Sequence, residues 1–372
     1  MTGVDWSSPP GDTIARLMAG KEIDPSELAD AMGLSSDEFD SLIIGRRRVS
    51  EADARVLASN LGSTARFWLA RDKAYALDMA RRPDGNSEAL AETWLASMPA
   101  ASMRQYGWVQ KGTRAKDKLK DEILAFFDCH SVQEWGERYS SGVGAIAFRT
   151  SLSLASDGMA TLVWIRAGEL AVGDLEMPQF DRVAFKKILP GLKKLSAYKR
   201  PAVFLPRLIE ACRSVGVAVA TVRTPNGCRA SGASWFNAAG NPVILLSFRH
   251  MAEDHFWFTF FHEAGHVVLH GKNHIDGDGD GVVVMGTDTE KHEVEANQFA
   301  QDVLFPAELR GELQDQGIRP KSVIAIARQA DVTPGIIVGQ LQRMRDLDHS
   351  KMNFLKRRYR WEDDANVPGL ID

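Results

Sequence analysis

Two histidines and a glutamate in FFHEAGHVV, residues 260–268, have the types and spacing of a hydrolytic metal centre. Histidines four apart on a helix stand on one face, about one turn from each other. His262 and His266 can therefore both reach one zinc ion at roughly 2.0–2.1 Å. Glu263 projects about 100° further round the helix than His262. From there it can act on the attacking water without ligating the metal, as general base and then as proton donor to the leaving amine. The surrounding run, HFWFTFFHEAGHVVLH, is apolar almost all round, so this helix is predicted to be buried. Gly265 removes a side chain where another element could approach closely.

A catalytic zinc needs a third protein ligand and an open position. The nearest source is TEKHEVEANQFAQDVLFP, residues 289–306, which reads as a helix bounded by a cap at Thr287 or Asp288 and by Pro306. Ala296, Phe299, Ala300 and Val303 form its apolar stripe. His292 lies on that stripe and Glu293 and Glu295 flank it, so helix geometry leaves the three open as ligands. A second metal pattern follows the first: Asp276, Asp278, Asp280 and Gly281 match the start of a calcium loop. Its twelfth position is Thr287, which cannot supply the bidentate carboxylate. The expectation is a flexible acidic loop that joins the two metal-bearing helices and gates access to the site. His270 and His274 continue the four-residue spacing from His266 and are expected outside the metal's own ligands.

The elements that must carry these residues follow from periodicity and turn chemistry. VGVAVATV, SGASWFN and NPVILLSF are short β-rich runs, and Ala239-Gly240-Asn241 reads as a hairpin turn between the last two. Those two are the expected edge along which a peptide could add as an extra strand. Residues 105–214 read as helices of uncertain role, with Pro190 a break or kink. ADVTPGIIVGQLQRM, residues 330–344, reads as turn, cap and helix packed on the metal domain.

Residues 11–80 read as wholly helical. Asp24-Pro25-Ser26-Glu27 has a cap, a first-position proline and an acid three residues on. Gly33 stops that helix and Ser35 or Ser36 starts another, which is the order of a helix-turn-helix. The second helix would present Ser35, Ser36 and Asp37 to base edges, with Arg46, Arg47 and Arg48 on the phosphate backbone. Asp37, Glu38 and Asp40 oppose that use, because they would face phosphates. DNA binding and docking of a protein partner, including a second copy as a homodimer, both stay open.

FTFFHEAGHVVLH followed by EVEANQFAQDVLFP resembles the ImmA/IrrE metallopeptidases, with their H-E-x-G-H and E-A-N-x-F-A segments. The N-terminal helices resemble HigA/XRE-type helix-turn-helix domains, and Phe67-Trp68-Leu69 fits the HigA-like subset. The first resemblance implies zinc as cofactor, Glu295 as third ligand, and a protein substrate of the repressor or antitoxin kind, as in toxin–antitoxin systems. Two functions compete. One is a zinc-dependent endopeptidase acting on a specific regulatory protein. The other is a DNA-binding transcriptional regulator or antitoxin whose peptidase-like domain senses or binds a partner without catalysis.

The expected architecture is α+β and predominantly helical. Its expected parts are a helix-turn-helix domain (11–80), a linker (81–104), a helical region (105–214), a zincin-like metallopeptidase domain with a small sheet (215–347), and a basic, aromatic tail (348–372) read as a solvated helix face. Bulk composition agrees with a soluble protein of this size. The chain has 372 residues, is 44% hydrophobic and 25% charged, and carries a net charge of −4, so no global basic field calls for nucleic acid. Three cysteines without CxxC spacing, an N-terminus without a signal-peptide pattern and the absence of any run near ~18 apolar residues lead to the expectation of a cytoplasmic protein with no membrane partner.

Overall fold

The computed structural model describes residues 9–21, 23–45, 47–80, 85–112, 115–139, 158–173, 176–271, 274–277, 289–361 and 368–371. The chain is predominantly helical and divides into two compact units, Met1–Thr93 and Trp94–Asp372. No helix among the described residues is long and apolar enough to cross a membrane.

In the first unit, helices α1 (Pro10–Lys21), α2 (Pro25–Met32), α3 (Ser36–Ile43), α4 (Glu51–Leu61) and α5 (Ala65–Ala80) surround a core that includes Ile14, Leu28, Leu42, Leu57 and Trp68. Local chemistry sets the boundaries. The Asp24 carboxylate accepts from the Ser26 N–H at 2.7 Å, and Pro25 occupies the first helical position. Gly33 takes the left-handed φ of 65° that ends α2. Ser35 and Glu38 then form a capping box that starts α3.

The second unit opens within α6 (Gly85–Ser97), followed by α7 (Ala100–Gln105). The expected linker, 81–104, contains the boundary between the two units, and its described residues are largely helical. Turn-forming residues dominate 83–87, but Trp94 and Met98 are buried in the core, and that burial holds the segment helical. Four strands form the main sheet among the described residues: β1 (Ala218–Thr221), β2 (Ala230–Phe236), β3 (Pro242–Leu246) and β4 (His274–Gly277), in the order β1-β3-β2-β4. β1 runs parallel to β3, and the other pairs are antiparallel. The hairpin turn lies where expected, with Gly240 at φ 80°.

β2 and β3 prove to be the central strands, so neither is the edge anticipated for a peptide; β1 and β4 are. β4 has little intrinsic strand propensity, since Asp276 and Gly277 both disfavour it. Its pairing with β2, Asp276 opposite Gly232 and Gly277 opposite Ala230, is a tertiary effect.

Side-chain alternation divides the sheet between two cores. Val243 and Leu245 face a cluster built from α6, α8 (Lys116–Phe126), α9 (Val132–Tyr139) and α10 (Gly158–Val172), where Phe127, Trp135 and Trp164 are buried. Ile244 and Leu246 face the other cluster, with α11 (Arg182–Leu192), α12 (Pro201–Arg213) and α13 (Glu253–Leu269). The helices of 105–214 thus cover both faces of the sheet. Pro190 does not break α11, which runs two residues past it and tightens into a 3-10 turn at Lys193–Ala197.

α13 is buried along nearly its whole length. Its start has no side-chain cap; instead the Glu253 N–H donates to the Arg357 carbonyl at 3.1 Å. The Glu253 carboxylate accepts from the Arg357 N–H at 3.0 Å and from the Thr333 hydroxyl at 2.9 Å, while burial pushes its carboxyl up from the ordinary range. Lys356 pairs with Asp254 at 2.6 Å, both nearly inaccessible, and also donates to Gln342 Oε1. The expected solvated helix at the C-terminus is corrected accordingly. The described residues of the segment include a two-stranded ribbon, β5 (Arg358–Arg360) with β6 (Gly369–Ile371), whose Tyr359 is buried against the α13 core. Alternation explains it: in Arg358-Tyr359-Arg360 only the central side chain points inward. Lys356→Met strands a buried carboxylate at Asp254, so it is expected to cost about 3–5 kcal/mol of stability. Denaturant melts of the two proteins measure this, and a loss below about 1 kcal/mol would refute the pinning role.

Candidate metal centre

The site lies between α13 and α14 (Thr289–Leu304). Gly265 allows the two helices to meet: a Cβ there would lie 3.3 Å from Ala296 Cα and 3.2 Å from the Phe299 ring. The face of α14 turned to α13 carries Glu293, Ala296, Ala300 and Leu304, all buried and three or four residues apart.

His262 and His266 are buried, with their Nε2 atoms 3.1 Å apart. The Glu293 carboxylate completes a triangle of side chains, with Oε2 3.4 Å from His262 Nε2 and Oε1 3.1 Å from His266 Nε2. Two ligands bound tetrahedrally at zinc's ~2.0–2.1 Å are about 3.3 Å apart. The Nε2–Nε2 separation is close to that spacing, one carboxylate oxygen faces each histidine, and two imidazoles with one carboxylate are a donor set suited to zinc. These three residues form the metal-competent group among the described residues.

The hydrogen bonds of His262 fix its proton. Its Nδ1 lies 3.1 Å from Asn297 Oδ1, and Arg343 Nη2 donates to that same oxygen at 2.7 Å. The guanidinium has only donors, so the shared atom is the amide oxygen, and His262 Nδ1 must donate to it. Its Nε2 then presents a lone pair toward His266 and Glu293. Arg343 is itself held over the Phe258 ring, 3.9 Å from the centroid.

Glu263 is fully buried on the sheet side of α13, where Ser234 of β2 donates its hydroxyl to Oε2 at 2.7 Å. Gly232 makes room for it: a Cβ at that position would lie 2.7 Å from Glu263 Oε1 and 2.6 Å from Thr259 Cγ2. Gly232→Val is expected to displace the Glu263 carboxylate at a cost of about 1–3 kcal/mol. If the chain is a peptidase, hydrolysis should fall while metal content stays at the wild-type level, since Glu263 lies outside the His262–His266–Glu293 group. Equal loss of both on metal analysis would contradict this assignment.

Glu295 lies elsewhere. It sits two residues beyond Glu293, about 200° round α14, and is 43% exposed. Its Oε2 is 2.9 Å from His270 Nε2, and this bond holds its carboxyl below the usual range. His270 Nδ1 lies 3.2 Å from His266 Nδ1, the His292 ring stacks on His270 at 4.0 Å, and burial holds the His270 imidazole below its ordinary pKa. The carboxylate beside the two histidines is therefore Glu293, whereas the family resemblance implied Glu295. The signal for Glu293 was present in the sequence, because it lies three and seven residues before Ala296 and Ala300. Phe299 and Val303 on the same apolar stripe obscured it.

The remaining sequence candidates are spread through the chain. Asp276 is in β4, and Asp278, Asp280, Gly281 and Thr287 lie outside the described residues, as does most of the expected gating loop. In the first unit, Ser35 caps α3 by accepting from the Glu38 N–H, and Ser36 and Asp37 are exposed. Arg47 forms a two-pronged pair with Asp53, at 2.9 and 3.3 Å, and Arg48 pairs with Asp72 at 2.7 Å. Arg46 lies outside the described residues.

Comparison with curated proteins finds no match to the chain. Residues 219–338, which run from within β1 into the helix Pro334–Arg343 and contain every residue of the triangle, match the family model Peptidase_M78, the IrrE N-terminal-like domain, and this match supports the ImmA/IrrE metallopeptidase family for that part of the chain.

Proposed function

We propose that the protein is a zinc-dependent endopeptidase that hydrolyses a peptide bond in a specific regulatory protein, of the repressor or antitoxin kind. The observation that carries this reading is the His262–His266–Glu293 triangle with Glu263 on the same helix, inside the segment that matches a peptidase family. In this reading His262, His266 and Glu293 hold the metal, which would supply Lewis-acid polarisation and a nucleophilic water at neutral pH. Glu263 takes the water's proton and passes it to the leaving amine, with Ser234 fixing the rotamer of its carboxylate. The substrate backbone adds beside β4, the edge strand next to β2, through main-chain hydrogen bonds.

For the first unit we propose a protein-docking role within a helix-turn-helix-like arrangement. The arginines expected to hold phosphates, Arg47 and Arg48, are engaged by Asp53 and Asp72, and the α2–α3 surface exposes Asp24, Glu27, Asp30, Asp37 and Glu38. Such a surface repels a phosphate backbone.

The test is a comparison of the proteins in cells carrying the wild type and Glu263→Gln. A shortened protein present only with the wild type identifies the substrate. Identical fragment patterns under conditions where both proteins are present and zinc-loaded would refute the peptidase reading.

A further inference from the structure

We propose that Glu295 and His270 form an outer relay that fixes the proton of His266 and so sets the metal affinity of the site. The relay rests on the metal-site reading above and adds two residues that are not in the triangle.

The protons along this chain of hydrogen bonds can be counted. A carboxylate only accepts, so His270 Nε2 must donate to Glu295 Oε2 across the 2.9 Å contact. A neutral imidazole has one ring proton, so His270 Nδ1 is then an acceptor. The 3.2 Å contact between His270 Nδ1 and His266 Nδ1 needs one donor, which is therefore His266 Nδ1. His266 Nε2 is left with its lone pair directed at His262 Nε2 and Glu293 Oε1. With the opposite tautomer, a proton on Nε2 would stand inside the triangle and would have to be expelled before a cation could bind. The geometry of α13 and α14 builds the relay. His270 is four residues after His266 on α13's face, at the helix's C-cap, and Glu295 reaches it from the flank of α14 opposite to Glu293. Each metal-facing histidine thus donates Nδ1–H to an outer acceptor: His262 to Asn297, and His266 to His270.

The test is zinc affinity of the full chain, measured by competition with a chromogenic chelator, for Glu295→Ala, Glu295→Gln, His270→Ala and the double alanine variant. His270→Ala is expected to weaken zinc binding by about 10–100-fold and Glu295→Ala by about 10-fold, with one zinc per chain retained. The double variant should bind no more weakly than His270→Ala, because Glu295 acts only through His270. Glu295→Gln keeps an acceptor and should recover most of the loss. Cobalt-loaded Glu295→Ala should keep the wild-type absorption spectrum, since no ligand is removed. Additive losses, a changed cobalt spectrum in Glu295→Ala, or unaltered affinity in the exposed-site variant Glu295→Ala would each overturn the relay. A wild-type chain that binds no zinc would overturn the metal-site reading and the relay with it. Loss of peptidase activity as the sole negative result, with these affinities as expected, would count against the catalytic proposal alone.

Discussion

Glu263→Gln should keep one zinc per chain and lower peptide hydrolysis by about 10²–10⁴-fold, the range supplied by a positioned general acid–base group. The replacement is nearly isosteric, and its amide oxygen can still accept the Ser234 hydroxyl that now reaches Oε2 at 2.7 Å. Gly232, which leaves space for this side chain, tolerates the amide equally well. What is lost is the ability to take a proton. In the proposed reading His262, His266 and Glu293 hold the metal, so metal content and thermal stability should not change with it. Metal analysis and a cleavage assay on the same preparations separate the two effects. Loss of zinc in Glu263→Gln would place Glu263 among the ligands. Retained hydrolysis would remove it from the chemistry.

The parts of this site that were legible in the sequence are those governed by local periodicity. The four-residue spacing of His262 and His266 and the apolar surround put them on one buried helix, and Gly265 marked the helix contact that Ala296 fills. The hairpin between β2 and β3 was legible for the same reason, because Ala239-Gly240-Asn241 encodes its own turn. What was not legible depended on distant partners. β4 is a strand only because β2 pairs with it, and nothing in His274–Gly277 announces that pairing. The helix at Gly85–Ser97 was hidden behind a polar, turn-forming start. The tail's basic residues concealed Lys356 as the partner of Asp254, 102 residues away along the chain. Placing Glu293 rather than Glu295 beside the histidines required knowing which edge of the α14 stripe faces α13, and that edge carries the fully buried Ala296, Ala300 and Leu304, with Phe299 and Val303 only partly buried.

That choice yields the second large effect. In the proposed reading Glu293→Ala removes one of three protein donors, and the affinity for zinc should fall by well beyond the roughly 10–100-fold expected when an outer partner is lost. The consequence is also thermodynamic. A ligand that binds only the folded state stabilises it by mass action, about 2.7 kcal/mol when free zinc is 100 times its Kd. Wild-type protein is therefore expected to melt several degrees lower after chelation, and Glu295→Ala should show most of the same shift when zinc is in excess. Glu293→Ala should melt at one temperature with zinc or with chelator. The position of the two acids on α14 explains the difference. The Glu293 carboxylate has Oε2 3.4 Å from His262 and Oε1 3.1 Å from His266, while Glu295 is 43% exposed and reaches the centre through His270. The reverse pattern, a zinc-dependent melt surviving in Glu293→Ala and vanishing in Glu295→Ala, would restore Glu295 as the ligand. It would require α14 to turn by about half a revolution, which would carry Ala296 and Ala300 away from the contact that Gly265 makes possible.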